Sequence, residues 1–235
     1  MSTRCRTAPA SVRRQLRQEA GFGCAICGNP LIESAHIIEY SITHSFPSED
    51  MVALCPNCHT EADLGKFAKW YLRKVKNEPF NKNRQTIGKR FVITGENTVV
   101  HLGNSTFVNT YKIITVSDFE LVAIRKAQDG FLSLDVNLFD IFNGFIAIIY
   151  DNYWLVDRRY TWDIVYKPQH LKLYCAQRNI LFEIEIKKEE IFISGTLYFN
   201  GFPIPITDQS MRVGGIVLSN FNTSWVEHAI DLQLH

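Results

Sequence analysis

The chain has 235 residues, of which 46% are hydrophobic, 12% aromatic and 21% charged, with a net charge of +1. This ordinary globular mix suits two modest domains or one large one, and no apolar run reaches the roughly eighteen residues that a membrane span needs. Six cysteines are too few for a disulfide scaffold, and MSTRCRTAPASVRR has no apolar signal region, so the expected location is the reducing cytoplasm.

Ser11 is the expected N-cap of a first helix, with Val12, Leu16 and Ala20 at helical spacing and Gly21 as the stop. Its exposed positions carry Arg13, Arg14 and Arg17. Cys24-Ala-Ile-Cys27-Gly28-Asn29 reads as a tight zinc knuckle, Glu33 to Tyr40 as a strand, and Ser41 to Glu49 as a polar loop. Val52-Ala-Leu leads into a second knuckle, Cys55-Pro-Asn-Cys58. A helix is expected from about His59, interrupted at Gly65, with another from Lys66 to about Asn77. In the latter, Phe67, Trp70, Tyr71 and Val75 share a face. Lys66, Lys69, Arg73 and Lys76 form a stripe that is either a solvated face or a contact to a phosphate backbone. Residues 77–90, NEPFNKNRQTIGKR, read as a basic linker without apolar periodicity.

From Phe91 the pattern changes to short β-branched and aromatic runs. Alternation with period two is clear at Leu132, Leu134, Val136 and Leu138, and again at Ile180, Phe182, Ile184 and Ile186. Asn143-Gly144 and Asn200-Gly201 are hairpin turn signals. They follow similar runs 57 positions apart, a hint of duplication. The fold class is therefore α+β: a small metal-clipped domain over residues 1–76, a linker over 77–90, and an all-β domain over 91–235 in the form of a sandwich, barrel or short solenoid. Charge divides the same way. Residues 1–90 hold 14 Lys and Arg against 8 Asp and Glu, net +6, and the remainder holds 11 against 16, net −5. Only the first part is suited to a polyanion. Trp154, Trp162 and Trp225 belong to core or interface rather than to base stacking, because their domain is acidic.

Cys24, Cys27, Cys55 and Cys58 are two CxxC pairs, the pattern of a structural zinc ion on four thiolates. Two pairs with no thioredoxin-like pattern argue against a redox motif.

RRQLRQEAGFGCAICG, ESAHIIEY and SEDMVALCPNCHTEADLGKF together resemble the cysteine-containing HNH endonucleases with the ββα-metal fold, over about residues 13–67. The resemblance implies hydrolysis of phosphodiester bonds in DNA, with double-stranded DNA as the expected partner. It places His36 as the general base that activates a water, and the "N" of the name on Asp50, which would orient that histidine. His59 falls on a ligand of the catalytic divalent ion, and Asp63 falls where many members have a further histidine. A carboxylate there suits Mg2+ or Mn2+. Ala35 departs from the pattern, since many members carry a metal-binding Asp or His before the base; Glu33, on the same strand face, is a substitute. Arg13, Arg14, Arg17, Lys66, Lys69, Arg73 and Lys76 are the expected DNA contacts. A bacterial defence or mobile-element role is implied by the resemblance alone. The β domain is expected to act in sensing or self-association as a homo-oligomer, or to stabilise the chain. The alternative for the first domain is a catalytically silent nucleic-acid-binding module. The nuclease reading needs both imidazoles to face one cavity that admits a phosphate.

Overall fold

The computed structural model describes residues 7–93, 97–126 and 132–233. The fold mixes helix and strand and is mostly sheet. It divides into two compact units, Met1–Ile87 and Gly88–His235.

In the first unit, α1 (Ala10–Glu19) begins after Pro9, whose carbonyl accepts the Arg13 N–H at 3.0 Å. Proline's fixed φ pre-sets the entry, so Ser11 lies inside the helix and is not its cap. Gly21, at φ 64, stops the helix as expected. β1 (Glu33–His36) is shorter than the sequence suggests. The segment read as the strand's end and a polar loop instead forms a one-turn helix, α2 (Tyr40–Thr43), closed by His44 at φ 47. β2 (Met51–Leu54) pairs antiparallel with β1, with Glu33 opposite Leu54 and His36 opposite Met51. Next, α3 (Pro56–Asp63) starts three residues earlier than expected, because Pro56 at the first helical position has no N–H to lose. Gly65, at φ 79, separates it from α4 (Lys69–Asn77).

The β1–β2 ribbon is filled from both sides. Met51 and Ala53 pack with Leu16 and Ala20 of α1. Val52 and Leu54 pack with the cysteines, Ala35, Ile37, and Leu72 and Val75 of α4. Trp70 is 69% exposed rather than part of the buried face. Residues 79–84 are not a free linker. The Phe80 N–H donates to Ala25 O at 2.9 Å, and buried Asn81 donates through Nδ2 to Gly21 O at 3.3 Å, so this segment folds onto the first knuckle. Hydrogen bonding to backbone carbonyls, which leaves no apolar period in the sequence, is what orders it.

The chain then forms strands throughout, starting with β3 (Thr86–Arg90), β4 (Val99–Leu102) and β5 (Ser105–Val108). A meander follows: β6 (Lys112–Val116), β7 (Phe119–Lys126), β8 (Leu132–Phe139), β9 (Phe145–Tyr150) and β10 (Tyr153–Asp157). After β11 (Asp163–Lys167) comes a second: β12 (His170–Ala176), β13 (Asn179–Lys187), β14 (Glu190–Phe199), β15 (Phe202–Ile206) and β16 (Met211–Val213). β17 (Ile216–Leu218), β18 (Asn222–Ser224) and β19 (His228–Leu232) complete the unit. One sheet has seven strands in the order β19-β6-β7-β8-β9-β10-β3; the other has ten, running from β11 through β17 with β4, β5 and β18 attached beside β14. Among the described residues each path is open, so this is a two-sheet unit and not one closed barrel.

A shift of 57 residues, the separation of Asn143 and Asn200, carries the starts of β6 to β10 onto those of β12 to β16 within three residues. The tetrapeptide Phe-Asn-Gly-Phe recurs at 142–145 and 199–202. Asn143 and Asn200 both take positive φ, and the Asn200 N–H donates to Asn143 Oδ1 at 3.2 Å. The two turns of an internal repeat therefore meet. Trp154, Phe91, Phe107 and Phe182 anchor the interior. Trp162 is half-buried, while Trp225 is 75% exposed and outside the core.

Candidate functional site

The four cysteine sulfurs converge, all within 4.8 Å of one another. Sγ of Cys27 is 3.6 Å from that of Cys55 and 3.9 Å from that of Cys58. Four sulfurs tetrahedrally placed around one zinc ion stand about 3.8 Å apart, whereas a disulfide needs about 2 Å. The cluster thus fits zinc. Its frame is built from backbone: Gly28 N–H donates to Cys24 O at 2.8 Å, Cys24 N–H to Asn29 O at 2.8 Å, and Ala25 N–H to Ala53 O of β2 at 2.9 Å. Gly28 takes φ 78, and a Cβ there would lie 2.4 Å from the Phe80 ring. Burial pushes the Cys27 thiol up to about 11 and raises Cys58 as well. Burial also raises Cys55, but the Cys58 backbone N–H and neighbouring thiols outweigh it and bring that group down. Zinc must therefore displace protons, and its affinity falls with falling pH.

On the α3 side of the ribbon, His59 Nδ1 lies 2.7 Å from Glu33 Oε2, and its Nε2 lies 3.8 Å from Asp63 Oδ2. A carboxylate only accepts, so Nδ1 donates to Glu33 and the neutral ring keeps its lone pair at Nε2, on the Asp63 side. This is the arrangement in which a carboxylate orients a metal-binding histidine. Two ligands about 2.1 Å from one cation stand about 3–4 Å apart, a range that includes the Nε2–Oδ2 separation. Glu33 thus positions the ring instead of adding a third converging ligand, and Ala35 is buried with no donor to offer.

His36 lies elsewhere. Alternation along β1 sends it to the α1 side, opposite Glu33 and Ala35. Its Nε2 is 3.2 Å from Ser45 O, which leaves the lone pair of the neutral ring at Nδ1. The ring packs against Tyr40 and Phe46, with centroids 5.6 and 5.4 Å away. It opens on a cleft of about 560 Å³ lined by His36, Tyr40, Ser41 and His44. His59 does not line this cleft, so the single cavity expected for both imidazoles is not formed: the two rings issue from opposite faces of a two-stranded ribbon. Nor does Asp50 hold His36. Its carboxylate accepts from Arg73 at 2.7 Å, while its backbone carbonyl accepts the Ile37 N–H at 2.7 Å.

The expected DNA contacts are largely engaged within the unit. Lys66 pairs with Glu61 at 2.7 Å, Lys69 with Glu39 at 3.8 Å, Arg73 with Asp50 at 2.7 Å and Lys76 with Glu19 at 2.5 Å. Arg13 is exposed, and Arg14 and Arg17 are half-buried, on the helix across the ribbon from α4. Alternating polar residues on facing strands, a pattern passed over in the sequence, gather His170, Glu183 and Glu185 in the second unit. Lys172 Nζ already lies 2.6 Å from the Glu183 oxygen that His170 approaches at 2.8 Å, and Lys187 holds Glu185 at 2.8 Å. Burial raises Glu183, but hydrogen bonds from Lys172 and His170 outweigh it and lower the group. The cluster is an ion-paired ladder.

Among the described residues, no helix is long and apolar enough to cross a membrane. No family model, curated protein or solved structure matches this chain.

Proposed function

We propose that the first unit is a metal-dependent endonuclease of the HNH type, hydrolysing phosphodiester bonds in duplex DNA. The observation that carries the reading is the Glu33–His59–Asp63 arrangement, in which one carboxylate orients the ring and the other shares its free side. His59 and Asp63 would hold Mg2+ or Mn2+, which would neutralise charge building up on the phosphate. His36 would take a proton from the attacking water at Nδ1. The single cavity expected for His36 and His59 is not formed, so the reading requires a substrate that runs along the outer edge of β1, which among the described residues pairs with β2 alone, and that meets side chains from both faces. The zinc cluster holds the frame.

The test is nicking of supercoiled plasmid with magnesium or manganese. The wild type should nick, and His36→Ala should lose about 10²–10⁴-fold with an unchanged melting curve. The placement of His36 and His59 on opposite faces favours a second reading, a zinc-framed module that binds nucleic acid without cutting it. Plasmid left intact by the wild type under both metals, but retarded on a gel, selects that reading. For the second unit we propose self-association, supported by Ile141 and Phe142 standing 54% and 89% exposed beside the paired turns. A monomer mass by light scattering removes it.

A further inference from the structure

We propose that the loop around Phe142 is the centre of a two-fold interface between two copies of this chain. The inference rests on the self-association reading above and assigns its surface. The Phe-Asn-Gly-Phe tetrapeptide is used in two ways. At 199–202 it closes a tight hairpin, with Phe199 opposite Phe202, and Phe199 is covered: it stacks on Phe119 at 5.1 Å and meets Phe139 at 6.4 Å. At 142–145 the hairpin closes at Phe139 opposite Phe145, so Phe142 falls in the loop between them, where it is 89% exposed.

Hydrogen bonds fix that loop. Asp140 Oδ1 accepts the Phe142 N–H at 2.9 Å and the Gly144 N–H at 2.6 Å, and the Asp140 N–H donates to Gly144 O at 2.9 Å. Asn143 Oδ1 accepts the Asn200 N–H at 3.2 Å, which ties the loop to the second turn. A ring already held in place loses little freedom on docking, the condition that favours a binding hot spot. The same patch offers a surface to receive it. Phe119, Phe139 and Phe199 form one ring cluster, and Phe119 and Phe145 stand 37% and 39% exposed. Knob and receiving rings lie side by side, the self-complementary arrangement of a two-fold interface, in which Phe142 of each copy rests on the ring cluster of the other.

Area and charge both favour a second copy as the occupant. Ile141, Phe142, Phe145 and Phe119 leave about 400 Å² of apolar side chain in water in each copy, a contiguous patch of the size that marks interaction sites. Two copies would bury about 800 Å² of these side chains alone. The partly exposed Phe139 and Phe199 and the exposed Asn143 and Asn200 bring the total past the roughly 1,000 Å² that a specific interface needs. Within residues 140–145 and 199–202 only Asp140 is charged, and its carboxylate is engaged by its own loop, so no like charges confront each other across the axis.

Sedimentation equilibrium of the full chain over a concentration series decides the matter. The wild type should show a monomer–dimer equilibrium. Phe142→Asp should weaken it about 100-fold or more, because symmetry makes the change twice, with an unchanged melting curve. Phe142→Leu keeps an apolar knob and should stay within about tenfold of wild type. Trp225→Asp, at a ring 75% exposed but outside the patch, should leave the dimer as it is. A dimer that survives Phe142→Asp, or that Trp225→Asp weakens equally, overturns this interface while self-association stands. Open-ended assembly of the wild type overturns the two-fold axis in the same way. A wild type that stays monomeric throughout removes the self-association reading, and this inference with it.

Discussion

Of the twelve largest fully buried side chains, Leu16, Met51 and Leu54 belong to the first unit, and the other nine, headed by Trp154, belong to the second. The first unit has a two-stranded ribbon with helices on both sides and a four-thiol cluster, three of whose cysteines are buried in its core. The second has two sheets and an interior filled by its own strands. A small core leaves little burial to offset chain entropy, so a metal on the four thiols would stabilise one unit where packing stabilises the other. On that expectation, the first would keep its polar cleft only while a metal on the thiol cluster holds the frame.

The sharpest way to break that contrast is to remove zinc. A chelator, or Cys58→Ser, should unfold the first unit, because such a site supplies about 10 kcal/mol or more. Hydrogen exchange on the full chain should show protection lost at β1 and β2 and retained at β8 and β14. Protection kept in both regions would show that the ribbon stands without metal. The converse variant, Trp154→Ala, should cost the second unit about 3–5 kcal/mol in a denaturant melt and leave zinc stoichiometry unchanged. Trp154→Phe should cost far less, since the buried indole nitrogen has no hydrogen-bond partner to lose.

A smaller effect sharpens the contrast within the first unit. Glu33→Gln should weaken manganese activation about 10–100-fold without altering the zinc content or the melt, because it frees the orientation of His59 and touches no sulfur. An unchanged manganese titration would reduce Glu33 to a surface pair. The smallest effect is expected in the second unit. Glu183 is lowered in the folded state, so its contribution is present above the ordinary glutamate value and is lost as pH falls through the lower folded one. Lys172→Met should flatten that acid limb in a melt followed against pH.

The convergence of the four cysteines was legible in the sequence because cysteine spacing is itself the geometry of the cluster. The strands of the second unit were legible through alternation, as at Leu132 to Leu138, and the repeat showed through its Asn-Gly turns. What spacing could not carry was which side of a strand each residue takes relative to neighbours far along the chain. His36 and Glu33 are three residues apart, an odd step that places them on opposite faces, yet the motif alone suggested one cavity. The partners of Lys66 and the α4 cations come from Glu61, Glu39, Asp50 and Glu19, on four separate segments, and only the folded chain brings them together. The helix over Tyr40–Thr43 was missed because a single turn has no period to read, and it is this turn that sets His44 beside Tyr40.

The pairing of the stripe from Lys66 to Lys76 bears on how ionic strength would act. Binding to a polyanion is driven by the small ions set free as charge is neutralised, and each engaged cation steepens the dependence on salt. Lys66, Lys69, Arg73 and Lys76 are already matched by carboxylates. A phosphate approaching them must first evict an internal rival, and added electrolyte loosens the rival as well as the newcomer. The logarithmic slope of affinity against salt should then be shallower than seven cations would give.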